Sequence, residues 1–136
     1  SNKICSKKQE IEKFLEELKN IINSKEFNIN TDLDILMKKS TEGIDDPFTT
    51  QNTLISLNFD RYDIKDALLN LKTKEYLETL IDNKNSNLPY FYAFIKEIDK
   101  RNVYIKVKIR SKVNHKIFCV SFHFARYSIN KLPYAN

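Results

Sequence analysis

The fold is decided by the stretch Val103-Tyr104-Ile105-Lys106-Val107-Lys108-Ile109-Arg110, in which apolar and polar side chains alternate without a break. Successive side chains of a β-strand point to opposite faces of the sheet. One face of this strand is therefore wholly apolar, and the other carries a tyrosine and three cations. We predict a half-buried strand over residues 102–110, with a core face and a cationic face.

Two further runs of β-branched and aromatic residues flank this strand, at residues 90–98 and 116–125. The connections between the three runs are short, at residues 99–101 and 111–115. Short connections join neighbouring antiparallel strands. The sequence therefore predicts an antiparallel meander over residues 90–125.

The last predicted strand also divides into two sets of side chains. Its apolar set is Phe118, Val120, Phe122 and Phe124, and the opposite set is Cys119, Ser121 and His123. A register that turns both apolar sets toward the core places His123 and Ser121 beside Tyr104 on the cationic face.

The part of the chain before the meander has mainly helical patterns. Apolar spacings of three and four predict helices at residues 6–24, 31–39, 50–57, 61–71 and 74–80. Ser6 and Gln9 have the spacing of a capping box, and Asp60 is the expected cap of the fourth helix. Residues 27–30 read as a short extended piece, and residues 40–48 and 82–89 as polar loops.

These elements predict a single α+β domain over residues 1–136, mainly helical at 6–80 and an antiparallel meander at 90–125. Helices that precede strands in this way are expected to pack on one face of a small sheet. The longest uncharged apolar stretch, residues 117–125, is far below the roughly 20 residues that cross a bilayer, so we expect no membrane partner. Cys5 and Cys119 suggest no disulfide framework, and a reducing cytoplasm is the expected location. The first residues lack an apolar signal core, which favours a trimmed chain over a secretory precursor.

Charge is distributed unevenly along the chain. Residues 1–95 carry 13 Lys or Arg and 16 Asp or Glu, a net charge of −3, whereas residues 96–136 carry 10 against 2, a net charge of +8. A basic third of this kind points to an anionic partner, with nucleic acid first. The alternative is a lysine-rich solvated face, because Lys, Asn and Ile are abundant and such a bias can reflect an AT-rich genome.

RNA cleavage is the chemistry that fits the residues on the cationic face. A ribonuclease that needs no metal must move a proton from the ribose 2′-hydroxyl and another to the 5′-oxygen, while cations stabilise the phosphorane. The sequence has no Walker loop, no GxGxxG, no GxSxG and no HExxH. His115 lies in a predicted turn, and the paired acids at 45–46 and at 32 and 34 read as solvated or capping residues. We expect no metal and no cofactor.

Several segments together resemble the MqsR family of type II toxins, most closely its Gram-positive branch. The similarity lies in Val103-Tyr104-Ile105-Lys106-Val107-Lys108-Ile109, Cys119-Val120-Ser121-Phe122-His123-Phe124-Ala125, Asp46-Pro47-Phe48-Thr49-Thr50-Gln51-Asn52-Thr53-Leu54, Leu71-Lys72-Thr73-Lys74-Glu75-Tyr76 and Leu132-Pro133-Tyr134. The resemblance implies a RelE-like fold, metal-independent endonucleolytic cleavage of messenger RNA, and neutralisation by a cognate antitoxin encoded beside the toxin.

The resemblance also assigns roles. Tyr104 falls on a sheet tyrosine implicated in catalysis, and His123 falls on a position that is lysine in the best-known member. That member has a functional Tyr-Lys pair where this chain has Leu77 and Glu78, and the Trp and Gly usual in the strand aligned with residues 92–95 are absent. We assign Tyr104 and His123 to proton transfer. The residues assigned to RNA binding are Lys96, Lys106, Lys108, Arg110 and Arg126.

Two other classes of function remain open from the sequence. A non-catalytic nucleic-acid-binding module would use aromatic side chains as stacking platforms beside the same cations; the candidates are Tyr90, Tyr92, Phe94 and Tyr104. An acidic binding surface would favour a role in protein interaction alone, as an immunity protein or an antitoxin. The predicted exposed face is basic.

Overall fold

A computed structural model of the chain describes residues 2–82, 85 and 87–136. Within these residues the chain forms four α-helices and six strands. In chain order the elements are β1 (Asn2–Ile4), α1 (Lys8–Ile22), α2 (Ile29–Asp32), β2 (Leu33–Ile35), α3 (Thr50–Leu57), α4 (Arg61–Leu69), a 3-10 turn (Thr73–Glu75), β3 (Tyr76–Ile81), β4 (Phe91–Ile98), β5 (Arg101–Ser111) and β6 (Lys116–Phe124). The predicted α+β class is confirmed. Of the predicted loop at 82–89, residues 83, 84 and 86 lie outside the described residues.

The strands form one mostly antiparallel sheet in the order β1-β3-β4-β5-β6-β2. The predicted meander is confirmed as β4, β5 and β6, which pair antiparallel. β4 and β5 are joined by Asp99 and Lys100 alone, and both residues have positive φ, at 50° and 65°. Two positive φ values are the signature of a type I′ turn, whose twist matches that of the strands. β2 is the exception to the antiparallel pattern, since it pairs parallel to β6.

Two predicted helices are wrong. The segment 31–39 contains the end of α2 and then β2, and the segment 74–80 contains the end of the 3-10 turn and then β3. In β3 the register shifts between Tyr76 and Glu78. This bulge breaks the alternation by which a strand is recognised in sequence, because one extra residue stands opposite β4.

The bounds of the other predicted helices agree with the structure to within a few residues, but one of the predicted caps is absent. Thr49 accepts a hydrogen bond from the backbone N–H of Asn52 at the start of α3, and Asp60 and Asp63 form a capping box at the start of α4. The capping box predicted at Ser6 is wrong, because α1 begins after Lys7 and no side chain caps it. The Ser6 hydroxyl instead contacts the side chains of Glu10 and Thr79, which ties the start of α1 to β3.

A bulge in β6 changes which side chains face the core. Lys106 pairs with Ser121 and Val107 pairs with Cys119, so Val120 has no partner on β5. The prediction that Phe118 and Val120 are buried with Phe122 is therefore wrong. Before the bulge, Ile117 and Cys119 face the core, and Phe118 lies on the opposite face of the sheet.

The core is a single cluster of apolar side chains from the helices and from one face of the sheet. The sheet contributes Val103, Ile105, Val107, Ile109, Ile117, Cys119, Phe122 and Phe124, and α1 contributes Ile11, Phe14, Leu15, Leu18, Ile21 and Ile22. Replacing one of the fully buried leucines, such as Leu18 or Leu68, with Ala would cost about 2–5 kcal/mol. No helix among the described residues is long and apolar enough to cross a bilayer.

Two threonines of α3 complete the edge of β6. β2 pairs with Ile117–Cys119, and among the described residues the rest of β6 has no strand on that side. The backbone N–H of Phe122 donates to Thr50 Oγ1 at 3.1 Å, and that of Phe124 donates to Thr53 Oγ1 at 3.0 Å. These hydroxyls satisfy buried donors that would otherwise lack a partner. They also fix the backbone on both sides of His123.

Candidate active site

The face of the sheet opposite the core carries most of the residues assigned to chemistry. On β5 it presents Tyr104, Lys106, Lys108 and Arg110, and the cross-strand register adds side chains from the neighbouring strands. We call this surface the cationic face. Its members are Tyr104, Lys106, Lys108, Arg110, Ser121, His123, Phe118, Glu78 and Phe91.

Tyr104 and His123 are side by side on the cationic face, as the sequence predicted. They are directly opposite each other on β5 and β6. Their rings are stacked, with centroids 5.4 Å apart and an interplanar angle of 21°. Two groups capable of proton transfer are therefore in contact.

His123 is held as a neutral base. Its side chain is 7% exposed, and its Nδ1 lies 3.0 Å from the carbonyl oxygen of Phe124. A carbonyl only accepts, so Nδ1 carries the proton in the neutral ring and Nε2 keeps its lone pair. Burial lowers the pKa of His123 and is the largest effect, and the charges of Lys39 and Arg126 lower it further. The hydrogen bond to the Phe124 carbonyl and the charge of Glu42 act in the opposite direction.

Tyr104 is held as a protonated phenol. Its hydroxyl donates to Glu78 Oε2 at 3.3 Å. Burial raises the pKa of Tyr104, and the neighbouring Glu78 carboxylate raises it further. Glu78 is opposite Ala93 on β4, so only a small side chain separates the carboxylate from β5. Lys3 of β1 lies 3.7 Å from the same carboxylate oxygen.

These groups line a common cavity of about 340 Å³ at one end of the cationic face. Its walls come from β1, β3, β5, β6 and the segment that follows β6. The residues are Lys3, Leu77, Glu78, Tyr104, His123, Ala125, Arg126, Tyr127 and Ile129. The cavity thus combines an imidazole, a phenol, a carboxylate and two cations, which is a set able to move protons beside a bound anion.

The three cations of β5 continue from this cavity along the cationic face. Lys106 and Lys108 place their Nζ atoms 5.0 and 4.5 Å from the ring centroid of Phe91. The Arg110 guanidinium lies 3.9 Å above the ring of Phe118 and pairs with Asp34. Burial lowers the pKa of both lysines, and a neighbouring cation lowers it further in each case. The face therefore carries a row of cations close together.

The other two assigned cations are placed differently. Arg126 lines the cavity, but its Nη2 contacts Glu42 at 2.6 Å and Asp46 at 2.8 Å. Lys96 is opposite Val103 and therefore lies on the core side of the sheet. Its Nζ is 3.3 Å from Glu75 and 3.2 Å from the carbonyl oxygen of Asn70. The structure does not bring Lys96 together with the other site residues.

The sequence does not predict the placement of three members of the cationic face, Glu78, Phe118 and Phe91, or of the neighbouring Lys39. Glu78 was placed in a helix, Phe118 was placed in the core, and Phe91 and Lys39 were not singled out. Lys39 donates to Ser121 Oγ at 3.0 Å and so brings a further cation to β6. Of these four residues, only Phe91 could have been placed from the sequence, because alternation through residues 91–95 puts it on the same face of the strand as Ala93 and Ile95.

Two aromatic side chains of the predicted stacking platform are on the core side. Tyr92 packs on Phe14 with ring centroids 4.2 Å apart, and Phe94 is fully buried. Of the four rings proposed for that platform, Tyr104 is on the cationic face. In the described part of the chain, no three His, Cys, Asp or Glu side chains are placed to hold a metal ion.

Comparisons of the chain with protein-family models, with curated proteins and with solved structures found no match.

Proposed function

We propose that this protein is an endoribonuclease that cleaves messenger RNA without a metal, as the toxin of a type II toxin-antitoxin pair. The observation that carries the proposal is the contact between His123 and Tyr104 in a cavity that Lys3 and Arg126 also line, on the face of β5 that carries Lys106, Lys108 and Arg110. The proposal includes a RelE-like arrangement, with the helices on the core side of the sheet and the substrate on the cationic face. The sequence resemblance to the MqsR family supports the same reading.

The proposed reaction uses the two rings for opposite proton transfers. Nε2 of neutral His123 accepts the proton of the ribose 2′-hydroxyl, and the 2′-oxygen attacks the adjacent phosphorus. The bond from phosphorus to the 5′-oxygen breaks, and Tyr104 donates its proton to that oxygen, since an alkoxide is a stronger base than a phenolate. The products are a 2′,3′-cyclic phosphate and a free 5′-hydroxyl. Solvent then returns the proton from the imidazolium to the phenolate.

Cations stabilise the charge that develops on the phosphorane oxygens. Lys106 is the residue next to Tyr104 on the cationic side of β5, two positions along the chain. Arg126 lines the cavity that contains Tyr104. Arg126 must exchange one of its two carboxylate partners for a phosphate oxygen when RNA binds. Lys108 and Arg110 hold the strand farther from the scissile bond.

The decisive experiment incubates purified protein with a single-stranded RNA in EDTA and analyses the products by mass spectrometry. We expect fragments that end in a 2′,3′-cyclic phosphate. The same RNA with a 2′-deoxyribose at the scissile position should stay intact, because the proposed nucleophile is missing. Cleavage of that deoxy substrate, or cleavage only with Mg²⁺, would contradict the proposal.

The cellular part of the proposal has its own test. Induced expression should arrest growth and degrade messenger RNA, and co-expression of the antitoxin encoded beside the gene should restore growth. The His123→Ala variant is the matched control, since it should be produced without arrest. Growth arrest by that variant at equal protein level would count against a nuclease toxin.

A binding module without cleavage is the second candidate, and the cations placed over Phe91 and Phe118 favour it. It predicts retention of intact RNA in the same assay, with no effect of His123→Ala on affinity or on products.

A further inference from the structure

Phe91 and Phe118 form an aromatic pair on the cationic face, away from the cavity of Tyr104 and His123. They belong to the two outer strands of the meander, and Lys108 of β5 lies between them in the register. Their ring centroids are nevertheless 5.9 Å apart, with an edge-to-face angle of 62°. The two rings therefore lean toward each other over the central strand.

The bulge at Val120 creates this pair. Without it, Phe118 would continue the alternation of Phe122 and Phe124 and would point into the core. Bulges re-aim side chains and are frequent beside functional sites. Neither ring belongs to the buried cluster of the core, and both stay partly accessible to solvent. A packing role in the core does not explain them.

The surroundings of the pair are cationic. Lys106 and Lys108 approach the ring of Phe91 at 5.0 and 4.5 Å, and Arg110 lies 3.9 Å above the ring of Phe118. Aromatic rings on a sheet beside Lys and Arg are the usual platform for single-stranded nucleic acid, because bases stack on the rings while the cations hold the phosphates. An Arg guanidinium is itself a plane on which a base can stack.

We propose that Phe91 and Phe118 form a base-stacking subsite for single-stranded RNA, in which Lys106, Lys108 and Arg110 bind the phosphates of the stacked nucleotide. This inference rests on the proposed function and adds to it a position at which the substrate is held. Lys108 is four residues from Tyr104 on β5, roughly 13 Å along the strand. The subsite therefore binds a nucleotide that flanks the scissile bond.

Charge decides in favour of nucleic acid over an acidic protein segment as the occupant. Stacking requires a flat ligand face, and three cations around two rings require closely spaced anions. A nucleotide supplies both in one unit. The carboxylate that pairs with Arg110 is Asp34, whose side chain is 61% exposed, so a phosphate can replace it without burying an unpaired acid.

The test uses Phe91→Leu and Phe118→Leu, which keep apolar bulk and remove the ring. The probe is a short single-stranded RNA that carries 2-aminopurine beside a 2′-deoxy scissile nucleotide, so that it binds without being cut. We expect quenching of its emission by the wild-type protein, and roughly tenfold or greater weakening of Kd in each variant with loss of quenching. Tyr62→Leu, which removes an exposed ring from α4, should match the wild type.

Phe91→Tyr and Phe118→Tyr keep a ring and should retain quenching, which separates stacking from misfolding. In folded Leu variants the KM for cleavable RNA should rise by a larger factor than kcat falls, because the lost ring binds substrate and no reacting group is altered. Wild-type affinity and quenching in both Leu variants, or an acidic peptide that displaces the probe more effectively than RNA does, would overturn the subsite. In that case the proposed nuclease activity would still be supported if the wild-type protein cleaves RNA. A wild type that neither binds nor cleaves RNA would overturn both.

Discussion

At the scale of single residues, His123 is positioned by its backbone. The N–H groups of Phe122 and Phe124 are held by Thr50 and Thr53 of α3, and the Phe124 carbonyl fixes the tautomer of the ring. The imidazole therefore has a defined direction and a defined protonation state before any substrate is present. Preorganisation of this kind is what a proton-transfer group requires.

Removing either ring group should lower turnover without unfolding the protein. We expect His123→Ala and Tyr104→Phe each to reduce kcat by roughly 10² or more, which is the usual contribution of general acid or base catalysis. Single-turnover cleavage of a fluorescent RNA measures this, with thermal unfolding as the check on folding. Full cleavage by a folded His123→Ala protein would remove the base from the mechanism.

The pH dependence of cleavage follows from the lowered pKa of His123. A base works when it is deprotonated, so the rate should fall as the pH drops through the depressed pKa of this imidazole. The free histidine value is about 6.5, and the acid limb should therefore lie below it. The raised pKa of Tyr104 keeps the phenol protonated, so no loss of rate is expected between pH 7 and 9. The kcat measured against pH tests both limbs, and an acid limb centred above 6.5 would be inconsistent with a buried neutral base.

At the scale of elements, the contact of α3 with β6 takes the place of a neighbouring strand. Thr53→Val keeps the shape of the side chain but leaves the buried N–H of Phe124 without a partner. We expect a loss of about 1–3 kcal/mol in the free energy of unfolding, because the donor keeps its desolvation cost. Urea unfolding of Thr53→Val and of Thr53→Ser measures it, since serine retains the hydroxyl. Equal stability of the Val variant and the wild type would show that this hydrogen bond is not needed.

The meander was predictable because its strands are long and alternate. Val103 to Arg110 defines both faces of β5 without reference to any other segment, and Tyr104 and His123 followed from pairing the strands. The face of Phe118 did not follow, because the bulge at Val120 leaves no mark in the sequence. A single extra residue reverses the side chains on one side of it.

The short strands were not predictable from local pattern. β2 has three residues, too few to show alternation, and it exists because it pairs with Ile117–Cys119, far along the chain. β3 has the bulge at Leu77 and is buried on both faces, at Thr79 and at Leu80. Glu78, whose carboxylate accepts the hydrogen bond from Tyr104, lies in this strand. A sequence prediction that makes the segment a helix therefore cannot place Glu78 beside Tyr104.

At the scale of the whole molecule, three of the ten Lys and Arg residues of the basic segment 96–136 lie in a row on one face of the sheet, namely Lys106, Lys108 and Arg110. Lys106→Ala and Arg110→Ala should weaken RNA binding and reduce the slope of log Kd against log salt by about 0.7 each, the value for one contact to a single-stranded phosphate. Lys96→Ala is the matched control, because Lys96 lies on the core side of the sheet. Filter binding at several salt concentrations provides the slopes. Equal slopes for all three variants and the wild type would mean that the cationic face does not contact phosphate.

The strand order has a consequence for how the protein is made. The two strands nearest the N-terminus, β1 and β2, are the outer edges of the sheet, and all the strands between them are synthesised later. Leu33 pairs with Ile117, which is 84 residues downstream, a delay of roughly 4–17 s at the usual rates of translation. The strands that carry Glu78, Tyr104 and His123 also come from the later part of the chain. The site that Glu78, Tyr104 and His123 form therefore cannot assemble until β6 has left the ribosome, so the proposed nuclease would spare the message that encodes it while the segments before β6 are being made.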